Sequence, residues 1–519
     1  MRLAFSRSLG RSRLGKGLLA AVLIAPLTMA GTAHADSPSN SARKLVRAVK
    51  GENVKRHLKV LDLIGKANGN TRVDGTRGYA LSRDYVASVL RLAGYKVTIQ
   101  PFEFEFEGYK TPPVLKRTAP EPKSFAHVTE FHEVGASSAG TVTAPVQAVD
   151  VVLPPPATPG STSGCEASDF AGFTAGNIAL VQRGTCDFAL KVANAVAAGA
   201  SAVIIFNEGQ PGRTTARVNP GIGENVPVPV FFTSFAVGDE LASKPGTTVS
   251  LSFDKLVETR TTSNVIAESL WGRGDNVVVA GAHLDSVQEG PGINDNGSGV
   301  GGVLEVALQM AKHKTGNKVR FGFWGGEEFG LLGSQYYVDH LSEQDKANIA
   351  LYLNFDMIAS PNFVYQVYDG DGDVFGVPGP EGSARIEKDF QSFYASRGLQ
   401  SKASEFDGRS DYKAFIDAGI PGGGLFTGAE KVKTAEEAAI WGGTAGIEYD
   451  PCYHAPCDTI KNIDDTALDV NSDAIAMLMG TYAFDTEAVN GIHAPGKAHK
   501  AAATRAAVVH DHHDKVELS

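Results

Sequence analysis

The chain has 519 residues, 43% hydrophobic and 20% charged, which describes a soluble globular protein with an ample core and room for two or three domains. Its 48 Lys+Arg against 58 Asp+Glu give a formal charge of −10, a balance that argues against nucleic-acid or anionic-membrane binding.

The N-terminus reads as a secretory signal peptide. Arg2, Arg7, Arg11, Arg13 and Lys16 precede an apolar segment from Gly17 to Ala30, and Ala33-His34-Ala35 supplies a cleavage site. No later stretch is long and apolar enough to span a bilayer. Export guides the reading of the cysteines, which fall as two local pairs, Cys165/Cys186 and Cys452/Cys457, in a compartment where disulfides persist. Without C-x-x-C spacing, a zinc ribbon is the weaker alternative.

Asn53 to Lys66 carries a helical stripe at Val54, Leu58, Leu61 and Ile64, and Tyr79 to Leu92 repeats it before Gly94. Tyr95 to Phe106 alternates like a strand, with Pro101 marking a bulge or an edge position. Pro-rich patches follow, as at a domain boundary. From about Val128 to Phe253 the pattern is self-contained: strands at Val146 to Val152, Asn177 to Val181, Ala202 to Phe206 and Val228 to Phe232, and helices at Phe188 to Ala198 and Ser234 to Ser243. This segment carries no convincing catalytic set. Its run Cys186-Asp187-Phe188, with Lys191-Val192, Ala198-Gly199-Ala200 and Ala202 to Asn207, resembles a protease-associated (PA) domain. That resemblance implies a lid or substrate-access module, against the plainer reading of an insert with structural value only.

Beyond the insert, strands are expected at Ser263 to Ala267, Asn276 to Gly281, Lys318 to Trp324 and Asn348 to Met357. They alternate with helices at Gly297 to Lys312, Leu331 to His340, Glu387 to Arg397 and Asp469 to Glu487. This alternation predicts an α/β fold with a doubly wound, mostly parallel twisted sheet flanked by helices. The implied organisation is a signal peptide over 1–35, a discontinuous main domain over 36–115 and 256–490, an insert over 116–255, and a tail over 491–519. The tail includes His510-Asp511-His512-His513-Asp514, read as solvated rather than metal-binding.

Most of the chemistry-bearing residues stand at or just after apolar or Gly-rich segments. His283, Asp295, Glu328, Asp356 and His454 are two imidazoles and three carboxylates, a set suited to zinc, and to two zincs if one carboxylate bridges. Glu327 and Glu328 are neighbours that can divide the work: one ligates and the other takes a proton from water. Asp285 lies two residues beyond His283, placed to accept its second ring N–H. Singly, each has a bland reading as a solvated His, a surface Glu pair or a turn Asp; the combination is what carries weight.

GAHLDSV (281–287), GINDNGSG (292–299), WGGEEFGLLGS (324–334), NFDMI (354–358) and PCYHAPCD (451–458) together resemble the secreted M28-type di-zinc aminopeptidases, in particular the Streptomyces-type leucine-preferring enzymes. The resemblance implies that Asp295 bridges two zinc ions, with His283 and Asp356 completing one site and Glu328 and His454 the other. It also implies Glu327 as general base, Tyr453 polarising the scissile carbonyl, Arg409 holding substrate, Met357 and Phe426 lining an apolar side-chain pocket, and a cis Asp295–Asn296 peptide. Asp469 and Asp473 match a calcium-site pair, but the expected N-terminal acidic partner falls near Ala48, which leaves that site short of a ligand. The expected activity is removal of apolar N-terminal residues from peptides by a secreted monomer that binds neither nucleic acid nor membrane. A carboxypeptidase or a glutaminyl cyclase-like enzyme on the same scaffold, and a non-catalytic binding protein, are the alternatives.

Overall fold

The computed structural model describes residues 38–493 except 217 and 219; the expected signal peptide and the tail from residue 494 lie outside the described residues. Two eight-stranded sheets organise the chain. In the first, the strands run in the order Lys96–Tyr109, Lys255–Glu268, Asn317–Trp324, Arg273–His283, Ile349–Phe355, Gly422–Phe426, Gln366–Tyr368 and Lys402–Ser404. The central strands Asn317–Trp324, Arg273–His283, Ile349–Phe355 and Gly422–Phe426 are mutually parallel. On one flank the pairing turns antiparallel, where Lys96–Tyr109 and Lys255–Glu268 form a hairpin whose connection is the inserted second sheet and its helices; on the other, Gln366–Tyr368 is antiparallel to Gly422–Phe426.

The central strands are buried on both faces, so the side-chain alternation feeds two cores. Val278, Ala280 and Ala282 join one core with Leu58, Leu304 and Phe355. Val277 and Val279 join the other with Trp324, Tyr352 and Phe415. The helices expected over Asn53 to Lys66 and Tyr79 to Leu92 are Gly51–Ala67 and Arg77–Ala93; the latter ends at Gly94, whose φ of 97° suits the left-handed cap. Helix Gly297–Met310 needs its glycines for close approach: a Cβ on Gly299 would collide with the Phe355 carbonyl, and one on Gly301 with Leu58.

Of the two expectations for Pro101, the edge position is realised. Pro101 pairs opposite Ser263 in a ladder that runs unbroken from Lys96↔Glu268 to Tyr109↔Lys255, on the outermost strand of the sheet. The second sheet, in which Val114–Ala119 pairs with Thr248–Phe253, is spliced between the ends of that hairpin. Its central strands Ile178–Gln182 and Ala202–Phe206 are parallel and fully buried. The strand expected over Val146 to Val152 sits earlier, at Gly140–Ala148, since the chain leaves the sheet at Asp150, where φ is 44°. Cys165–Cys186 and Cys452–Cys457 are disulfide-bonded. Among the described residues no helix is long and apolar enough to cross a membrane.

Candidate metal centre

Parallel strands deliver their carboxyl ends to one side of the sheet, the usual place for polar chemistry in an open α/β fold. His283 is the last residue of Arg273–His283, Glu327 and Glu328 follow Asn317–Trp324, and Asp356 follows Ile349–Phe355. Asp295 sits just before helix Gly297–Met310, where the Asp295–Asn296 peptide is cis, and His454 lies in the loop closed by the Cys452–Cys457 bridge, with φ 52°.

These side chains converge. His283 Nε2 lies 3.2 Å from Asp295 Oδ1 and 3.4 Å from Asp356 Oδ1. His454 Nε2 lies 3.2 Å from Asp295 Oδ2 and 3.1 Å from Glu328 Oε2. Asp295 therefore offers one oxygen to each imidazole. For a tetrahedral zinc with N and O ligands at about 2.0–2.2 Å, neighbouring donor atoms should stand roughly 3.3–3.6 Å apart, close to these separations. His283 Nε2, Glu328 Oε1 and Asp356 Oδ1 are buried without a hydrogen-bond partner, an arrangement that is costly unless a cation sits among them. The donor set thus fits zinc. Glu327 Oε2 stands farther off, 3.9 Å from His283 Nε2, though it too lies within metal-binding reach of His283 and Asp356.

Electrostatics follow from burial and from the excess of acid. Burial pushes the Glu327 carboxyl well above the usual range; His283 opposes this, while Glu328 and Asp356 add to it. Burial works against charge on His283, but the carboxylates of Glu327 and Asp356 outweigh it and hold the imidazole pKa well above normal. The Tyr453 hydroxyl is raised by burial and by Asp295 and Glu328, which keeps it protonated and able to donate.

A second tier of residues holds this cluster, and sequence reasoning found only Asp285 of it. Asp285 Oδ1 is 3.4 Å from His283 Nδ1, and its Oδ2 accepts the Glu328 N–H at 3.2 Å. Asp458 accepts the N–H groups of Asn294 (2.8 Å) and Asp295 (3.0 Å), fixing the segment that carries the shared carboxylate. Ser410 Oγ donates to Asp356 Oδ2 at 2.6 Å. Fully buried Arg72 donates to the carbonyls of Leu284, Pro291 (2.6 Å) and Gly292 (2.6 Å), tying down the loop after His283. Asp411, 1% exposed, is pushed up to about 7 by burial. Asp458 lies inside the 451–458 stretch and Asp411 two residues beyond Arg409; Arg72 had no sequence signal.

The expected substrate residues gather beside the cluster. Met357 and Phe426 line a pocket of about 140 Å³ together with Tyr368, Phe375, Arg409 and Tyr453. Arg409 donates to Glu430 at 2.8 Å and to the Tyr453 hydroxyl at 3.2 Å. On the other side a larger cleft, about 640 Å³, opens between His454 and the second sheet's His127, His132 and Glu133, with Glu289. The pair expected for calcium is engaged by protein donors: Asp469 accepts the Gly51 N–H at 2.9 Å, and Asp473 pairs with Arg397 at 2.6 Å.

Comparison with known families matches residues 264–479 to Peptidase family M28 and residues 142–241 to the PA domain. An aminopeptidase of Pseudomonas aeruginosa is 47% identical over 448 residues, 86% of this chain and 83% of that protein. The chain belongs to peptidase family M28. This M28 enzyme is also 47% identical over 323 residues to leucine aminopeptidase 2 of Arthroderma otae, covering 62% of this chain and 65% of that one. Its fold is similar to the solved structure of a zinc aminopeptidase from Bacillus subtilis, with TM-score 0.58, 26% identity, and coverage of 83% of this chain and 94% of that one. It is an M28 aminopeptidase with an inserted PA domain.

Proposed function

We propose that this M28 enzyme is secreted and removes apolar, leucine-like residues from the free N-termini of peptides, with two zinc ions held by His283, Asp295, Asp356, Glu328 and His454. The observation that carries this reading is Asp295, whose two oxygens each face a different imidazole at 3.2 Å. The main domain, 36–115 and 256–490, is read as interrupted by the PA insert over 116–255, near the hairpin's end at Tyr109 and Lys255.

When bound, zinc supplies Lewis-acid polarisation of the scissile carbonyl and lowers the pKa of water toward about 7. The chain's own residues do the rest. The small pocket past Met357 and Phe426 takes the terminal side chain, and the acidic lining attracts the α-ammonium. Glu327, buried and outside the short-contact set, takes the proton of the attacking water and returns it to the departing amine. Tyr453 donates its hydroxyl proton to the carbonyl oxygen as negative charge develops there. The wider cleft beside the PA sheet receives the remaining peptide.

A panel of peptides, free and N-acetylated, tests the assignment. Stepwise loss of N-terminal apolar residues from the free peptides alone is expected. Cleavage of the acetylated set, or release from the C-terminus, would refute it.

A further inference from the structure

Asp369-Gly370-Asp371-Gly372-Asp373 leaves strand Gln366–Tyr368 beside the substrate pocket and contributes nothing to the zinc cluster. With Glu387 of helix Ser383–Ser396, its three aspartates bring four carboxylates together so that one oxygen of each lies within 4.8 Å of the others. That is about the width of a calcium coordination sphere, whose oxygen ligands stand roughly 2.3–2.6 Å from the ion.

Asp369 is fully buried. Its Oδ2 accepts the N–H groups of Val374 (3.2 Å) and Phe375 (2.8 Å), but its Oδ1 has no hydrogen-bond partner. Glu387, 3% exposed, is fixed by the N–H groups of Gly370 (2.9 Å) and Asp371 (3.2 Å) and by Gln391 (2.7 Å). Among the described residues, the cation paired with this group is Lys388, 3.4 Å from Asp371 and largely solvent-exposed, so it offsets little of the mutual repulsion. A buried carboxylate oxygen without a donor, inside a ring of like charges, is destabilising unless a cation completes it.

We propose that Asp369, Asp371, Asp373 and Glu387 form a binding site for a calcium ion. The donors are all carboxylate oxygens, which favours a hard cation; imidazole and thiolate, the ligands that favour zinc, are absent from the group. The D-x-D-x-D spacing resembles the start of other calcium loops, here closed by an acid from the following helix. The same Asp369 oxygen that holds the Phe375 N–H anchors a residue lining the pocket. Calcium would therefore fix that wall of the site, a consequence that rests on the proposed peptidase reading, whereas calcium binding itself does not.

The test uses the zinc-saturated full chain, titrated with calcium chloride by calorimetry and followed by thermal unfolding. One saturable calcium per chain is expected, with a dissociation constant in the micromolar-to-millimolar range and a raised Tm. Both effects should vanish in Asp371→Asn/Asp373→Asn, with Asp373→Asn alone standing in if the double variant's calcium-free Tm shows it unfolded. For an apolar N-terminal peptide, KM should fall on calcium addition in the parent chain only. No binding at millimolar calcium overturns the site, as does binding that survives the double variant or is lost instead in Asp469→Asn/Asp473→Asn. Unchanged KM in a chain that binds calcium overturns the link to Phe375. A chain inactive on every peptide would refute the proposed function and leave the calorimetric result standing.

Discussion

Arg409 donates one guanidinium N–H to the Tyr453 hydroxyl at 3.2 Å while Glu430 holds its other arm at 2.8 Å. With its oxygen engaged as acceptor, the tyrosine has its own proton free for the substrate. Tyr453→Phe should lower kcat by roughly 10²–10³-fold, the usual cost of one oxyanion donor. Arg409→Ala should then cost much less in the Tyr453→Phe background than alone, with a coupling of about 0.5–3 kcal/mol in a double-mutant cycle. Additive losses would show that Arg409 acts independently of Tyr453.

Glu327 differs from the proposed metal ligands in its 3.9 Å spacing from His283, against 3.1–3.4 Å within the rest of the cluster. Glu327→Ala should keep two zinc ions per chain by elemental analysis and lose about 10²–10⁴-fold in kcat. Near-normal turnover in the zinc-loaded variant would remove it as the base. Loss of zinc from the variant would make it a ligand.

Asp458 touches neither imidazole, yet both its oxygens hold the backbone that presents Asp295. Asp458→Asn should weaken zinc binding about 10–100-fold, read by competition with a chelator, because the shared carboxylate loses its fixed position. At saturating zinc most of the activity should return. Unaltered zinc affinity would exclude this role.

Lys191 gives a pH prediction remote from the centre. It is fully buried in the second sheet's domain and donates to the Ser163 carbonyl at 2.5 Å, and burial lowers its pKa to about 8 from 10.5. Between those values the unfolded chain binds the proton that the folded chain has released, so stability rises with pH across the window. Below about 8 both states are protonated and the full cost of the buried charge is carried. Thermal unfolding from pH 7.5 to 10 should show this rise in the parent chain and flatten in Lys191→Met; equal slopes would refute it.

The candidate cluster was legible because most of its members sit at a break between an apolar or Gly-rich segment and a loop, and because carboxylate and imidazole are chemically conspicuous. His283 and Asp356 needed only the strand pattern to be located. The supports were hidden for a physical reason: Arg72 and Asp458 act through backbone groups more than 150 residues away in sequence, which no local periodicity encodes. Strand Gly422–Phe426 was missed since its glycines lack β-propensity. Packing demands them, as a Cβ on Gly424 would collide with the Asn354 carbonyl of the neighbouring strand. The cluster Asp369, Asp371, Asp373 and Glu387 was also passed over, because a Gly-Asp run reads locally as a turn and Glu387 joins it only through the fold.

The unbroken ladder between Lys96–Tyr109 and Lys255–Glu268 bears on how the chain reaches this shape. Its first contact, Tyr109 with Lys255, cannot form cheaply while residues 110–254 are a loose coil, since joining the ends of a long loop costs entropy. Once the inserted sheet has folded, its own paired strands Val114–Ala119 and Thr248–Phe253 hold those ends side by side. The hairpin can then zip from Tyr109 toward Lys96 and place the edge on which Asn317–Trp324 assembles. In that order of events the module beside the catalytic cleft would act as a template for the sheet that makes the cleft.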